Sequence, residues 1–293
     1  FREARHMPKE AFIKKSDFHL KGQTSEQRDM NLGLDRMRMA IHDIGLPCKE
    51  TPAIQIAGTN GKGSISSFIN SILTTVGIKT GITTSPHLVD WVERICINDQ
   101  QIPRQEFDSF QKDISPLADK YGLSPFESII AIALKYFSSK SVDLLILEVG
   151  LGGRLDATTS HVYRPIIALG AIGLDHCEYL GNDLEEIAKE KAAVITPGST
   201  VITANQHPIV NKVLKATVER QNAAIRWVNP LSNDWDLGIP GLIQRENAAV
   251  AKGAIESLKT IGWTISENNI RKGLSIARWP ARLQECKWQG MPV

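Results

Sequence analysis

Ala53–Ala57 (AIQIA) is a β-type run that breaks at Gly58. From Ile65 onward the apolar residues Ile65, Phe68, Ile69, Ile72, Leu73 and Val76 recur on one helical face. Between the two lies Ala57–Ser64, AGTNGKGS. A strand that passes through a glycine turn into an amphipathic helix cannot form a hairpin. It opens a crossover, and crossovers build parallel sheets. The rest of the chain keeps that rhythm. Strand-like runs are Lys79–Thr84, Val142–Val149, Pro165–Ile172, Thr200–Ala204 and Ala224–Val228. Helical patterns run through Leu32, Leu34, Met37, Ile41 and Ile44, then Phe107, Phe110 and Ile114, then Ile129, Ile130, Ala133, Leu134 and Phe137. Further helices are predicted over Leu184–Val194, Ile209–Arg220, Glu246–Ile261 and Glu267–Ile276. The continuous apolar VDLLILEV run suits a central parallel strand covered on both faces. The expected fold is therefore α/β, a P-loop-containing, doubly wound, mostly parallel sheet with helices on both faces and right-handed crossovers.

The loop departs from the G-x-x-x-x-G-K-[ST] rule. Ile56 stands where the first glycine belongs, and Gly63 pushes the hydroxyl one place on, to Ser64. The chemistry is nonetheless complete. Glycines let backbone amides converge on an anion, and the following helix N-terminus favours negative charge. Lys62 adds a point charge, and Ser64 brings a hydroxyl to the first helical turn, where a nucleotide's magnesium would bind. The loop reads as a phosphate cradle. An acid on a neighbouring strand end should accompany it, and Glu148 closes the apolar run Leu144–Leu147. Gly150-Leu151-Gly152-Gly153-Arg154 follows; no amphipathic helix continues it, so a loop for close substrate approach is expected rather than a dinucleotide fingerprint. His176 comes after another strand-like run, and from the residues alone both a metal ligand and a structural hydrogen-bonder are open. Lys189-Glu190-Lys191, taken alone, is a solvated helix face.

Composition narrows the class. The chain has 293 residues, 42% hydrophobic and 23% charged, and 34 basic against 32 acidic residues give a net charge of +2. Neither a nucleic-acid partner nor a membrane surface is indicated. Cys48, Cys96, Cys177 and Cys286 are scattered with no C-x-x-C pair, as expected of free thiols in the cytoplasm. No apolar run reaches membrane-spanning length and no signal peptide is readable. The chain starts at Phe1 and stops at Pro292-Val293, and further sequence is expected at both ends.

GTNGKGS, TSPHL (Thr84–Leu88), ERI (Glu93–Ile95), LEVGLGGRLDAT (Leu147–Thr158), GLDH (Gly173–His176), EIAKEKA (Glu186–Ala192) and WPARL (Trp279–Leu283) occur in that order. Together they resemble the folylpolyglutamate synthase / dihydrofolate synthase family of the Mur ligase superfamily. The match runs from about Gly33 to the end of the chain. The resemblance implies a Mur-ligase central ATPase domain over residues 1–285, with residues 286–293 beginning a C-terminal domain that the chain lacks. It also implies a Mg-ATP-dependent ligase that joins L-glutamate to dihydropteroate or to the γ-carboxylate of a reduced folate through an acyl phosphate. Gly58, Thr59, Asn60, Gly61, Lys62, Gly63 and Ser64 would bind ATP phosphates, with Asn247 and Arg282 on the nucleotide. Ser64, Ser85 and Glu148 would hold one magnesium and His176 a second. Lys191 would carry a carbamate that supports the metal pair. Ser124, Pro125, Phe126 and Glu127, with Leu155, Asp156 and Ala157, would form the pterin side. The resemblance implies a monomer. The chain departs from the family's usual DATN at Thr159, from EKAG at Ala193 and from WPGR at Ala281. A chain ending where this one does is expected to bind ATP weakly and ligate poorly. The alternatives are a Mur-type ligase for peptidoglycan precursors, a P-loop kinase or GTPase, and a non-catalytic nucleotide-binding fragment.

Overall fold

The computed structural model describes residues 33–280 and the backbone of residues 287–288 and 291–292. The first helix, α1, spans Asp35–Asp43 and buries Met37, Ala40 and Ile41. Strand β1 (Ala53–Ala57) is fully buried and leads into α2 (Lys62–Thr75). β2 (Thr80–Thr83) follows, then a hairpin of β3 (Ile95–Ile97) and β4 (Gln100–Gln101). Helices α3 (Arg104–Tyr121) and α4 (Pro125–Ser139) precede β5 (Leu144–Glu148) and β6 (Ile166–Leu169). The chain continues through α5 (Cys177–Leu180), α6 (Leu184–Ala192), β7 (Thr200–Ala204), α7 (Pro208–Arg220) and β8 (Ala224–Val228). It then forms α8 (Leu242–Ser257), α9 (Glu267–Ile276) and a short antiparallel pair, β9 (Lys287–Trp288) with β10 (Met291–Pro292).

The main sheet has eight strands in the order β4-β3-β2-β5-β1-β6-β7-β8. From β2 to β8 every pairing is parallel, while β3 and β4 add an antiparallel edge. Alternate residues of β1 face opposite layers. Ile54 and Ile56 join Phe68, Ile69, Ile72 and Leu73 of α2, with Ala251 and Ile255 of α8 and Leu274 of α9. Each such isoleucine, leucine or phenylalanine, fully buried, stabilises the fold by about 1.5–3 kcal/mol. On the other face Ala57, Ile167 and Leu169 meet Ile187 and Ala188 of α6 and Val210 and Leu214 of α7. Gln55 faces this second layer from the middle of β1 and is fully buried.

The edge hairpin and both ends of α8 differ from expectation. The β3–β4 hairpin was not legible, being short and on the edge. Helix α8 begins four residues before the predicted Glu246, because Leu242 and Ile243 are exposed and fall off the apolar face. Its last predicted turn, Leu258–Ile261, tightens to a 3₁₀ helix before Gly262. The expected domain boundary at residue 285, and Arg282, Ala281 and Cys286, lie outside the described residues.

Candidate active site

Register places the candidates on one sheet edge. Glu148 at the end of β5 lies level with Ile56 of β1, Thr83 of β2 with Leu147, and Leu169 of β6 with Ala57. The segments that continue these four adjacent strands therefore leave side by side: the Gly58–Ser64 loop, Ser85, the loop after Glu148, and Gly170–His176. This is the carboxyl edge, where open parallel sheets bind ligands.

The Gly58–Ser64 loop is held from two sides. The amides of Thr59 and Asn60 donate to Ala171 O at 2.8 and 3.1 Å, and the Thr59 hydroxyl bonds Gly173 O at 3.0 Å. Those two amides are occupied within the fold. The open donors are therefore at the start of α2, whose N-cap, Gly61, supplies no side-chain acceptor. Gly61 has φ 85°, and a Cβ there would come within 2.3 Å of Asn247 Oδ1. Asn247, buried on α8, thus lies directly on the loop, with its amide donating to Gln244 at 3.0 Å. Trp279 covers Gly63, where a Cβ would meet its ring at 2.8 Å.

Lys62 folds back over its loop and donates to Gly58 O at 3.0 Å and Thr59 O at 3.1 Å. Lys191 reaches the same Gly58 carbonyl from α6, at 3.3 Å. It is not on a solvated face: only 3% of it is exposed. Burial first, then the neighbouring Lys62 charge, brings its pKa down to about 8, against the opposing pull of Asp175, Glu190 and Asp156. Glu148 is 3% exposed at the end of β5. Ser64 is buried in the first turn of α2, and Ser85 is half-buried after β2. His176 is half-exposed, has the left-handed backbone φ 48°, ψ 43° at the cap of α5, and its Nε2 lies 3.6 Å from Asp175.

The residues of the expected pterin side make firm contacts within the fold. Ser124 and Glu127 form a capping box at α4: Glu127 N donates to Ser124 Oγ at 3.2 Å, and Ser124 N to Glu127 Oε2 at 2.7 Å. Arg36 adds a bidentate pair to Glu127 at 2.8 and 3.0 Å. Pro125 takes the first helical position. Phe126 lies against Gly150, 2.7 Å from where a Cβ would be. Asp156 is buried and turned into its own loop, accepting from Gly150 N (2.9 Å), Leu151 N (3.1 Å) and both Thr158 N and Oγ1 (2.9 and 2.5 Å). Leu155 is half-buried and Ala157 is buried beside it. Polar atoms here fix the shape of the Gly150–Asp156 loop and the α4 cap.

Arg94 and its partner His87, next to the site, were missed as candidates. Arg94 stacks over Trp91 at 4.6 Å, donates to His87 Nδ1 at 2.8 Å and feels the Glu148 charge. The ERI and TSPHL stretches contained the signal, since a charged residue next to a short strand at a sheet's carboxyl edge is badly placed unless it serves the site.

Known proteins of similar sequence and fold point to one family. The chain is 34% identical over 284 residues to the dihydrofolate synthase/folylpolyglutamate synthase of Bacillus subtilis, covering 86% of this chain and 66% of that protein. Mycobacterium tuberculosis folylpolyglutamate synthase complexed with ADP and AMPPCP superposes with a TM-score of 0.80 at 30% identity, over 87% of this chain and 65% of that one. This chain belongs to the folylpolyglutamate synthase / dihydrofolate synthase family. An FPGS–AMPPCP–folate complex superposes with a TM-score of 0.82 at 28% identity, over 89% of this chain and 71% of that one. No protein-family model matches the chain. The fold is thus the Mur-ligase-type α/β fold of this family. The chain spans just under two thirds of the length of the Bacillus relative. Among the described residues no helix is long and apolar enough to cross a membrane.

Proposed function

We propose that this chain carries the nucleotide-binding and acyl-activating part of an ATP-dependent amide ligase, which joins L-glutamate to dihydropteroate or to a reduced folate. The observation that carries the reading is the shared edge: an uncapped helix N-terminus at Gly61–Ser64, Glu148 one strand away, and the buried Lys191 bonded to the loop's own Gly58 carbonyl. A carboxylate and an amine do not condense directly, because oxide is a poor leaving group. Phosphoryl transfer from ATP makes the carboxylate an acyl phosphate; the glutamate amine attacks its carbonyl carbon, and phosphate leaves.

The chain's own residues bind and orient. The first amides of α2 receive the phosphates, and Lys62, drawn off the Gly58 and Thr59 carbonyls, follows the transferred group. Asn247 and Trp279 border the loop where the nucleotide would lie; Arg282, outside the described residues, is assigned to the nucleotide by the family resemblance alone. The half-buried Gly150, Phe126 and Leu155 offer a surface on which a flat heterocycle could rest, with Ala157 buried beside Leu155.

The donors suit magnesium. Among the described residues no three His, Cys, Asp or Glu side chains gather as a metal cage. Magnesium keeps several waters and asks for one or two protein oxygens beside phosphate, which Ser64, Ser85 and Glu148 can supply, with His176 for a second ion. When bound, magnesium would neutralise charge on the transferred phosphoryl group. Lys191 is suited to carbamylation. A pKa near 8 leaves a fraction of neutral amine able to add to carbon dioxide, releasing a proton, and the carbamate would face the metals as an anion.

The test is ADP release by the chain with Mg-ATP, run with and without L-glutamate, against dihydropteroate, tetrahydrofolate and a UDP-muramoyl substrate in turn. Release that requires glutamate and a pterin acceptor supports the proposal; release without glutamate, or only with the muramoyl substrate, overturns it. Carbon-13 NMR with labelled bicarbonate should show a carbamate signal that Lys191→Ala abolishes.

A further inference from the structure

Behind the sheet edge lies a buried polar chain that the ligase chemistry does not use. Gln55 is the one polar residue of AIQIA, fully buried in the central strand three residues before Gly58. Its Nε2 donates to two hydroxyls at once, Thr158 Oγ1 at 3.0 Å and Thr159 Oγ1 at 2.8 Å. Its Oε1 accepts from Arg164, whose same nitrogen donates to Val194 O at 3.2 Å, just beyond the helix that carries Lys191. At the other end, Thr158 donates to Asp156, which holds the amides of Gly150 and Leu151, and Thr159 donates to Gly153 O at 2.7 Å. A single hydrogen-bonded path therefore joins the end of α6, the strand under the phosphate loop, and the loop after Glu148.

That path is a costly way to fill a core. Arg164 is 7% exposed, its guanidinium is pushed down to about 10 by burial, and its Nε has no hydrogen-bond partner among the described residues. No carboxylate is paired with it among the described residues. A buried cation of this kind is weak support for stability and is better explained by specificity of arrangement. Gln55 accepts from Arg164 and donates to both threonines, so it converts the position of Arg164 into the position of two hydroxyls. Those threonines sit in the 3₁₀ turn Ala157–Ser160 that closes the Gly150–Asp156 loop.

We propose that Gln55, Arg164 and Thr159 are positioning residues that set the Gly150–Asp156 loop, and through it the affinity for the acceptor carboxylate substrate rather than for the nucleotide. This rests on the proposed function for the identity of that substrate; the loop-ordering part stands without it. Breaking the path leaves Asp156, and the loop amides it holds, without the anchor that Thr158 and Thr159 take from Gln55, while the phosphate loop keeps its own ties to Ala171 and Gly173.

The experiment uses Gln55→Met, Thr159→Val and Thr159→Ser in the full chain. Thr159→Val exchanges the hydroxyl for a methyl of similar size; Thr159→Ser retains the hydroxyl. Two readouts are taken: hydrogen exchange of the amides of residues 150–153, and the KM values for pterin acceptor and for ATP. In Gln55→Met and Thr159→Val, exchange at 150–153 should rise about tenfold, with β5 unchanged, and acceptor KM should rise about tenfold with ATP KM within about twofold. Thr159→Ser should behave as the parent chain. Unchanged exchange at 150–153, or equal shifts in both KM values, overturns the proposal. If the parent chain turns over no pterin acceptor, the functional reading fails, and the exchange data alone decide the positioning claim.

Discussion

Lys191 shows how far a residue's surroundings can change its meaning. In sequence it is one cation among Lys189, Glu190 and Lys191; in the fold it is buried against Gly58 while Lys189 remains outside, paired with Glu185. Helix periodicity alone cannot separate them, because only the docking of α6 under the phosphate loop decides which lysine is covered. The titration follows from that burial. The folded chain releases the Lys191 proton near pH 8, whereas the unfolded chain keeps it to about 10.5. Between those values the unfolded state binds more protons, so stability rises with pH across the window, and the penalty is fully present below it. Lys191→Met removes the group. Chemical denaturation in carbon-dioxide-free buffer should show the parent chain gaining roughly 2 kcal/mol over the variant between pH 7.5 and 10. A parent-minus-variant difference that does not change with pH would mean the ammonium keeps its proton in the fold. Thr159 teaches a similar lesson. It stands where family members often read asparagine, and its hydroxyl accepts from Gln55 and donates to Gly153 O.

At the scale of elements, the α/β alternation was legible because central parallel strands are apolar on both faces and helices on one. β7, β8 and α9 match their predicted bounds for that reason. The β3–β4 edge carries no such pattern, since ICI and QQ are too short for period-two alternation to register. The SPFE stretch is the instructive case. Read through resemblance it is a substrate surface, but Ser, Pro and a Glu three residues on, ahead of an apolar run, also signal a capping box, and the structure builds one. Both readings can hold only if the polar atoms serve the helix and Phe126 serves the site. Glu127→Ala tests that division. It removes the reciprocal cap and strands half-buried Arg36, so thermal unfolding should show a loss of about 1–3 kcal/mol. Acceptor KM should change little, because the Phe126 ring stays on Gly150. A large acceptor effect with unchanged stability would return the carboxylate to the binding surface.

For the whole molecule the decisive property is that one edge gathers contributions from β1, β2, β5 and β6, adjacent in space but separated along the chain by three connections. Sequence reasoning could name Ser64, Ser85, Glu148 and His176; only register puts their strand ends level. Such a site should respond to ligand as a unit, and its parts should separate when the metal is withheld. Phosphates can reach the open amides of α2 unaided, so the segment 58–65 should gain hydrogen-exchange protection from AMPPCP even in the presence of a chelator. Ser85, Glu148 and His176 come from other strands and have no phosphate-binding amides of their own, so they need a shared cation to feel the nucleotide. With AMPPCP and magnesium together, protection should therefore extend to residues 84–87, 148–151 and 171–177. Thermal stability should rise with ligand by mass action, about 2.7 kcal/mol at a hundred times the Kd. His176→Ala separates the two ions: protection at 171–177 should fall while that at 84–87 and 148–151 persists. Protection confined to residues 58–65 with or without magnesium would show that the sheet edge holds a nucleotide but no metal pair, and the acyl-activating role would lose its basis.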